Sequence, residues 1–236
     1  MKNKQLMSLL SVVFFMMTLV LVLLSWIGSM YGWHSVQSIL SEEGIRWVLN
    51  HAINDYVQTP ALGIVLVLFM GIGVGIRAGF YNVCRRMFAR EGYVSGKERR
   101  SFTFSSVVAL CYVLTILSFI PFLRSVTGSL LHSPFQQGFF YILSFGLGLV
   151  GVVYGYASNN YRQVNQVFEG MASLISRVAH YFITLFFVVQ FFSVLNYTQL
   201  LQTVGVSNST VDILFTICCY LPLLICCFKY QSSRLA

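Results

Sequence analysis

Charge is what this sequence has least of: Asp, Glu, Lys and Arg together make up 9% of its 236 residues, with seven acids against fifteen bases. A water-soluble domain carries roughly 25% charged residues to keep its surface wetted. A soluble globular fold is therefore excluded. Proline is down to four residues, and no Pro- or Gly/Ser-rich linker or low-complexity tract divides the chain. Acidic clusters, His-x-x-x-His pairs and serine-nucleophile motifs are missing, and His34, His51, His132 and His180 lie scattered. Hydrolysis or metal-assisted chemistry lacks its residues, so neither an enzyme nor a cofactor is expected. The six cysteines, Cys84, Cys111, Cys218, Cys219, Cys226 and Cys227, have no histidine or carboxylate beside them. They read as small apolar residues in lipid, not as a metal set or a disulfide framework.

What fills the chain is apolar sequence, 57% of all residues, gathered in long blocks. About 20 apolar residues cross a bilayer as a helix. The blocks predict spans at about 6–26, 60–76, 102–122, 139–156, 179–197 and 211–228. The first follows Lys2 and Lys4 and has no small-x-small cleavage pattern, so it is read as a retained span and not a signal peptide. The expectation is an all-α integral membrane protein with six transmembrane helices and two amphipathic interfacial helices, forming a single membrane domain over 1–236.

The net charge of +8 is a topology signal and no sign of nucleic-acid binding. Lys2, Lys4, seven bases between Arg77 and Arg100, then Arg162, Arg177, Lys229 and Arg234 can all be placed on one side of the membrane, which leaves only Arg46 and Arg124 on the other. By the positive-inside rule both termini are cytoplasmic, in a multi-pass protein of a bacterial inner membrane.

Two stretches are amphipathic at helical spacing. In the first, Ser41 caps a helix opened by Glu42 and Glu43, with Ile45, Val48, Leu49, Ala52, Ile53 and Tyr56 on one face and Arg46, Asn50, His51, Asn54 and Asp55 on the other. The second, 162–177, carries Val164, Val167, Phe168, Met171, Leu174 and Ile175 on its apolar stripe. The first is expected to lie along the membrane surface or to pack against the ends of the spans, and the second to lie on the inner surface or to run straight into the fifth span.

Within the spans two series of small residues stand out: Gly71, Gly75 and Gly79, and Gly148, Gly151 and Gly155 with Ser144 before them. Bare backbone along one face of a helix in lipid is a packing surface for another helix. A nucleotide-binding reading of the glycines fails for want of a preceding strand. Of the polar residues in the apolar blocks, Gln190 is the deepest and is expected to hydrogen-bond a neighbouring helix; with Arg77 it is a candidate pathway residue.

The stretch 40–79 also resembles the p-aminobenzoyl-glutamate transporter (AbgT) family. Its Leu-Ser-x-Glu-Gly-x-Arg-Trp start is matched by Leu40, Ser41, Glu43, Gly44, Arg46 and Trp47, and the following Asn, Pro and Leu-Gly by Asn54, Pro60, Leu62 and Gly63. The family's Met-Leu-Gly-Ile-Gly-Val is matched at closer spacing by Met70, Gly71, Ile72, Gly73 and Val74, and Gly79 falls where its next glycine does. A second, collinear block comprises Ser133-Pro134, Gly151, Tyr154, Gly155, Met171-Ala172, Tyr181, Phe186-Phe187, Gln190-Phe191, Asn196 and Gly205. The family's re-entrant hairpin motifs, Ser-Asp-Ala-Gly-Tyr, Lys-Trp and Arg-x-Gly-Asp-Ser, do not occur, and Ile76 stands where a glutamate is common. The resemblance thus implies a short relative that keeps the scaffold helices. It would assemble with itself or with a hairpin-bearing transporter chain in the lipid bilayer; the alternative is a compact homo-oligomeric secondary transporter of small anionic metabolites.

Overall fold

The structure is a computed structural model that describes residues 2–33, 36–88, 93–123, 133–203 and 205–232, with side chains described between 5 and 224. Arg124 and His132, and His34, Arg90 and Arg234, lie outside the described residues. Helices account for nearly all the rest: α1 Lys2–Met30, α2 Glu42–Gln58, α3 Pro60–Ala78, α4 Phe80–Phe88, α5 Gly96–Phe119, α6 Pro134–Ala157, α7 Val164–Arg177, α8 Ala179–Thr198, α9 Leu200–Thr203 and α10 Asn208–Ser232, with a 3-10 turn at Ile120–Leu123. Among the described residues there is no strand.

Among the described residues five helical stretches are long and apolar enough to cross a membrane: Gln5–Met30, Glu42–Ala78, Gly96–Phe119, Pro134–Ala157 and Ala179–Thr198. The sixth expected span falls in α10, whose apolar part with described side chains is the shorter Asn208–Leu224. The chain divides into two compact units, residues 1–62 with 178–236 and residues 63–177.

In the first unit α1 and α8 run side by side in the same direction. The hydroxyls of Ser11 and Thr184 are 2.9 Å apart, Phe15 meets Phe187 and Phe14 meets Phe191 edge-on. After α1 the chain turns, and the amide of Gln37 donates to the Thr198 carbonyl at the far end of α8. Ser41 then caps α2, accepting from the Gly44 amide at 3.0 Å, with Glu42 and Glu43 in the first turn. The predicted cap is thus in place, but the helix does not lie apart from the spans. Trp47 stacks on Tyr197, whereas nine residues later Tyr56 donates to the Phe182 carbonyl at 3.0 Å. This α2 returns alongside α8 in the opposite sense, burying the side that carries Trp47, Ala52 and Tyr56 against it, while Gly44 lies on the backbone of Ser38 and Ile39. At Thr59 the helix breaks: its hydroxyl donates back to the Asp55 carbonyl at 2.7 Å, and Pro60 opens α3, where a missing N–H costs nothing.

The second unit holds α3 from Gly63 onward through α7. The loop read as plain positive-inside sequence contains α4, which was not expected. Its Val83 is buried with Val74, Ala78, Tyr154, Tyr161 and Val167, and Phe80 packs on Phe102 and Tyr154. The signal was present as an amphipathic pattern, with Phe80, Val83 and Met87 at helical spacing and Arg85 and Arg86 in the last turn. It was masked by the density of positive charge. Gly79 makes the corner between α3 and α4 with φ +84°, a conformation that glycine adopts without strain. At the other end, Arg86 links α4 to the start of α5, donating to Glu98 at 3.2 Å and to the Tyr93 carbonyl at 3.4 Å.

Candidate functional site

Two places gather the residues singled out from sequence. One is the seam between α3 and α6. A methyl group added at Gly151 would sit 2.8 Å from the Gly75 amide nitrogen and 2.9 Å from its Cα. One added at Gly71 would strike the Ser144 carbonyl and hydroxyl. Ser144 Oγ in turn donates across the seam to the Val67 carbonyl at 2.5 Å, and Gly148 would meet Gly71 Cα only at 3.6 Å. The two backbones touch because the sequence offers no side chains at the crossing. The tolerance is uneven: a Cβ at Gly75 itself meets nothing within 4 Å. Gly155 is filled by the Tyr161 ring, and Gly79 lies past the end of α3 at the corner, with Asn160 nearest. Two further close approaches have no place in the expected stripes. Gly73 faces α7, where a Cβ would lie 2.6 Å from the Gly170 carbonyl, and Gly146 accommodates the Tyr112 ring.

The turn between α6 and α7 locks this seam. Tyr161 Oη donates to the Val74 carbonyl at 2.8 Å, its amide donates to the Gly155 carbonyl at 2.9 Å, and Asn160 Nδ2 donates to the Ala78 carbonyl at 2.7 Å. Burial pushes the Tyr161 phenol above its ordinary value of 10, against a smaller opposing pull from Arg77. The phenol therefore stays a neutral donor. No periodicity in the sequence distinguishes Tyr161 from the other tyrosines, and only the packing reveals its role. Arg77 ends α3 and forms an ion pair with Glu169 of α7, both side chains about half exposed. Its charge is thus shared with a partner that the sequence reading did not assign.

The other place is the contact of α2 with α8. Gln190 Nε2 donates to the Ala52 carbonyl at 2.6 Å, the inter-helix bond expected of it. One turn on, the Ser193 hydroxyl donates to the Asp55 carboxylate. The spacing puts Asp55 on the polar face of its helix; the structure sets it half-buried against α8. Arg77 and Gln190 fall in different units and are described separately. Among the described residues no group of three His, Cys, Asp or Glu side chains could hold a metal ion. A groove of about 510 Å³ opens in the second unit between the starts of α3 and α6, lined by Gly63, Val67, Gln136, Gln137, Phe140 and Tyr141.

The description of the AbgT putative transporter family fits residues 6–93 and 84–232, nearly the whole chain. The chain belongs to the AbgT putative transporter family. No curated protein matches its sequence. Among solved structures, the YdaH transporter of Alcanivorax borkumensis is similar with a TM-score of 0.71 at 16% identity, covering 81% of this chain and 71% of that one. MtrF of Neisseria gonorrhoeae, whose report concerns a class of antimetabolite efflux pumps, is similar with a TM-score of 0.70 at 14% identity, covering 80% and 69%. At such identities the likeness shows a shared fold. The AbgT-like chain is accordingly a multi-pass membrane protein of a transporter family.

Proposed function

We propose that this AbgT-family chain serves solute transport in a bacterial inner membrane as a scaffold or subunit, completed by a hairpin-bearing transporter chain. The observation that carries this reading is internal to the chain. The two matched segments overlap at 84–93, from the second half of α4 into the residues after it, and no hairpin motif occurs between the two blocks. Transporters place the solute near the midplane with broken helices facing it; here the corresponding stretch holds α4 and α5. The solutes of the pair would be p-aminobenzoyl-glutamate or antimetabolites, by analogy with the family and with MtrF.

A second reading is supported by the coverage of 71% and 69% of the two solved transporters. In it the chain is a compact homo-oligomeric secondary transporter of small anionic metabolites, with Arg77 and Gln190 in the pathway. Gentle detergent extraction from native membranes, with the mass of the complex and every co-purifying chain determined, separates the two. A larger co-purifying membrane protein with the hairpin motifs is the expected result. Copies of this chain alone would sink the subunit reading, and flux in liposomes would then be compared between the unmodified chain and Arg77→Ala with Gln190→Leu.

A further inference from the structure

We propose that the polar face of α2 lines a water-filled vestibule which enters the first unit from the Thr198 end of α8 and descends beside α8 to Asp55. The argument starts from depth. Helix α1 contains the most apolar span of the chain, Gln5–Met30, and α8 runs parallel to it, with Thr184 at Ser11 and Phe191 at Phe14. At 1.5 Å per residue, Gln190 lies about 17 Å from the Ala179 end of α8 and about 12 Å from the Thr198 end, and Ser193 about 8 Å from the latter. Both polar partners of α2 are therefore well inside a hydrocarbon layer about 30 Å thick. The contacts of α2 reach from Tyr197 to Phe182, so it shares that depth.

The surface of α2 has three sides. One packs on α8 through Trp47, Ala52, Asp55 and Tyr56. A second exposes Ile45, Leu49, Ile53 and Val57 at four-residue spacing, a stripe suited to lipid. The third exposes Glu42, Glu43, Arg46, Asn50, His51 and Asn54. Their polar groups bond within α2: Arg46 pairs with Glu42 at 2.5 Å, His51 Nδ1 lies 3.0 Å from the Trp47 carbonyl, and Asn54 donates to the Asn50 carbonyl at 2.9 Å. The Arg46–Glu42 pair comes before Trp47, which is level with Tyr197 at the end of α8, and so sits at the mouth; Asn50 and Asn54, further down α2, cannot face acyl chains without a desolvation cost. Water can meet them at that depth only if it enters alongside α2.

The test places a small, environment-sensitive fluorescent amino acid by codon suppression at Ile45, Asn50, Ile53, Asn54 or Val57 of the full chain in liposomes. All five sites are exposed. Aqueous iodide and lipids nitroxide-labelled at mid-chain serve as quenchers. The vestibule predicts that iodide quenches at Asn50 and Asn54, while lipid quenching rises from Ile45 through Ile53 to Val57. Equal, shallow lipid quenching at Ile45, Ile53 and Val57 would mean that α2 lies along the surface, and would overturn the proposal. A rising lipid gradient with no iodide quenching at Asn50 and Asn54 would also overturn it, since protein and not water would then cover that face.

Discussion

A glycine matters here according to where its missing side chain would point. The Cβ of Gly151 would enter the backbone of α3, whereas that of Gly75, on the opposite helix of the same contact, would enter open space. Overpacking a tight contact costs typically about 1–3 kcal/mol. Gly151→Ala is therefore expected to lower the thermal midpoint in detergent clearly, and Gly75→Ala to leave it nearly unchanged. Equal effects of the two would refute the seam as drawn. Tyr161→Phe removes a donor from the Val74 carbonyl. In membrane proteins such a bond is worth about 0.6 kcal/mol on average and up to about 1.7. A modest loss of stability is expected, together with faster hydrogen exchange at the turn that joins α6 to α7. Arg77 and Glu169 sit in a half-exposed pair, for which about 0–1 kcal/mol is typical. Arg77→Ala should thus leave stability almost untouched, so any large loss of flux in that variant would point to the pathway and not to unfolding.

At the scale of elements, α2 and α4 show why amphipathic pattern and location are different questions. Both helices are legible from spacing: Ser41 and the two glutamates mark the start of α2, and Phe80, Val83 and Met87 mark the buried side of α4. What the pattern cannot say is what covers the face, since an apolar stripe fits a bilayer surface and a neighbouring helix equally well. For α2 the partner is α8, and its hydrogen bonds from Gln190 and Ser193 come from a helix more than a hundred residues away. For α4 the anchor to α5 is Arg86 with Glu98 and the Tyr93 carbonyl. Arg86→Ala is expected to release the start of α5, which amide exchange at residues 95–99 would register as lost protection. Unchanged exchange there would show that the Ser95–Glu98 capping box alone holds the turn. Replacing Ser41 by alanine should cost about 1 kcal/mol, the usual value of an N-cap, read as a lower thermal midpoint.

For the whole molecule, the family is established and the activity is the open experiment. The chain keeps the fold of solved AbgT-type transporters, with TM-scores near 0.7, at identities of 16% and 14%. Such divergence with a retained fold is what lipid permits: a spanning helix needs apolar length, and its neighbours need small residues where backbones cross. In liposomes the chain alone is expected to move no p-aminobenzoyl-glutamate, and the complex with a hairpin-bearing chain to do so. Uptake by the chain alone would decide for the homo-oligomeric reading.

The sequence by itself determined that the protein is helical and membrane-embedded, that α2 is capped at Ser41, and that glycines would let helices touch. These follow from local chemistry: hydropathy over a fixed length, caps that satisfy the first free amides, and side chains too small to keep backbones apart. Only the tertiary structure decided which glycines carry the contact, that Tyr161 locks it, that Gly79 is a corner, and that Asp55 meets Ser193 beside α8. Each of these depends on the angle and register between helices distant in sequence. That geometry is set by how all the faces fit at once, and no single stretch contains it.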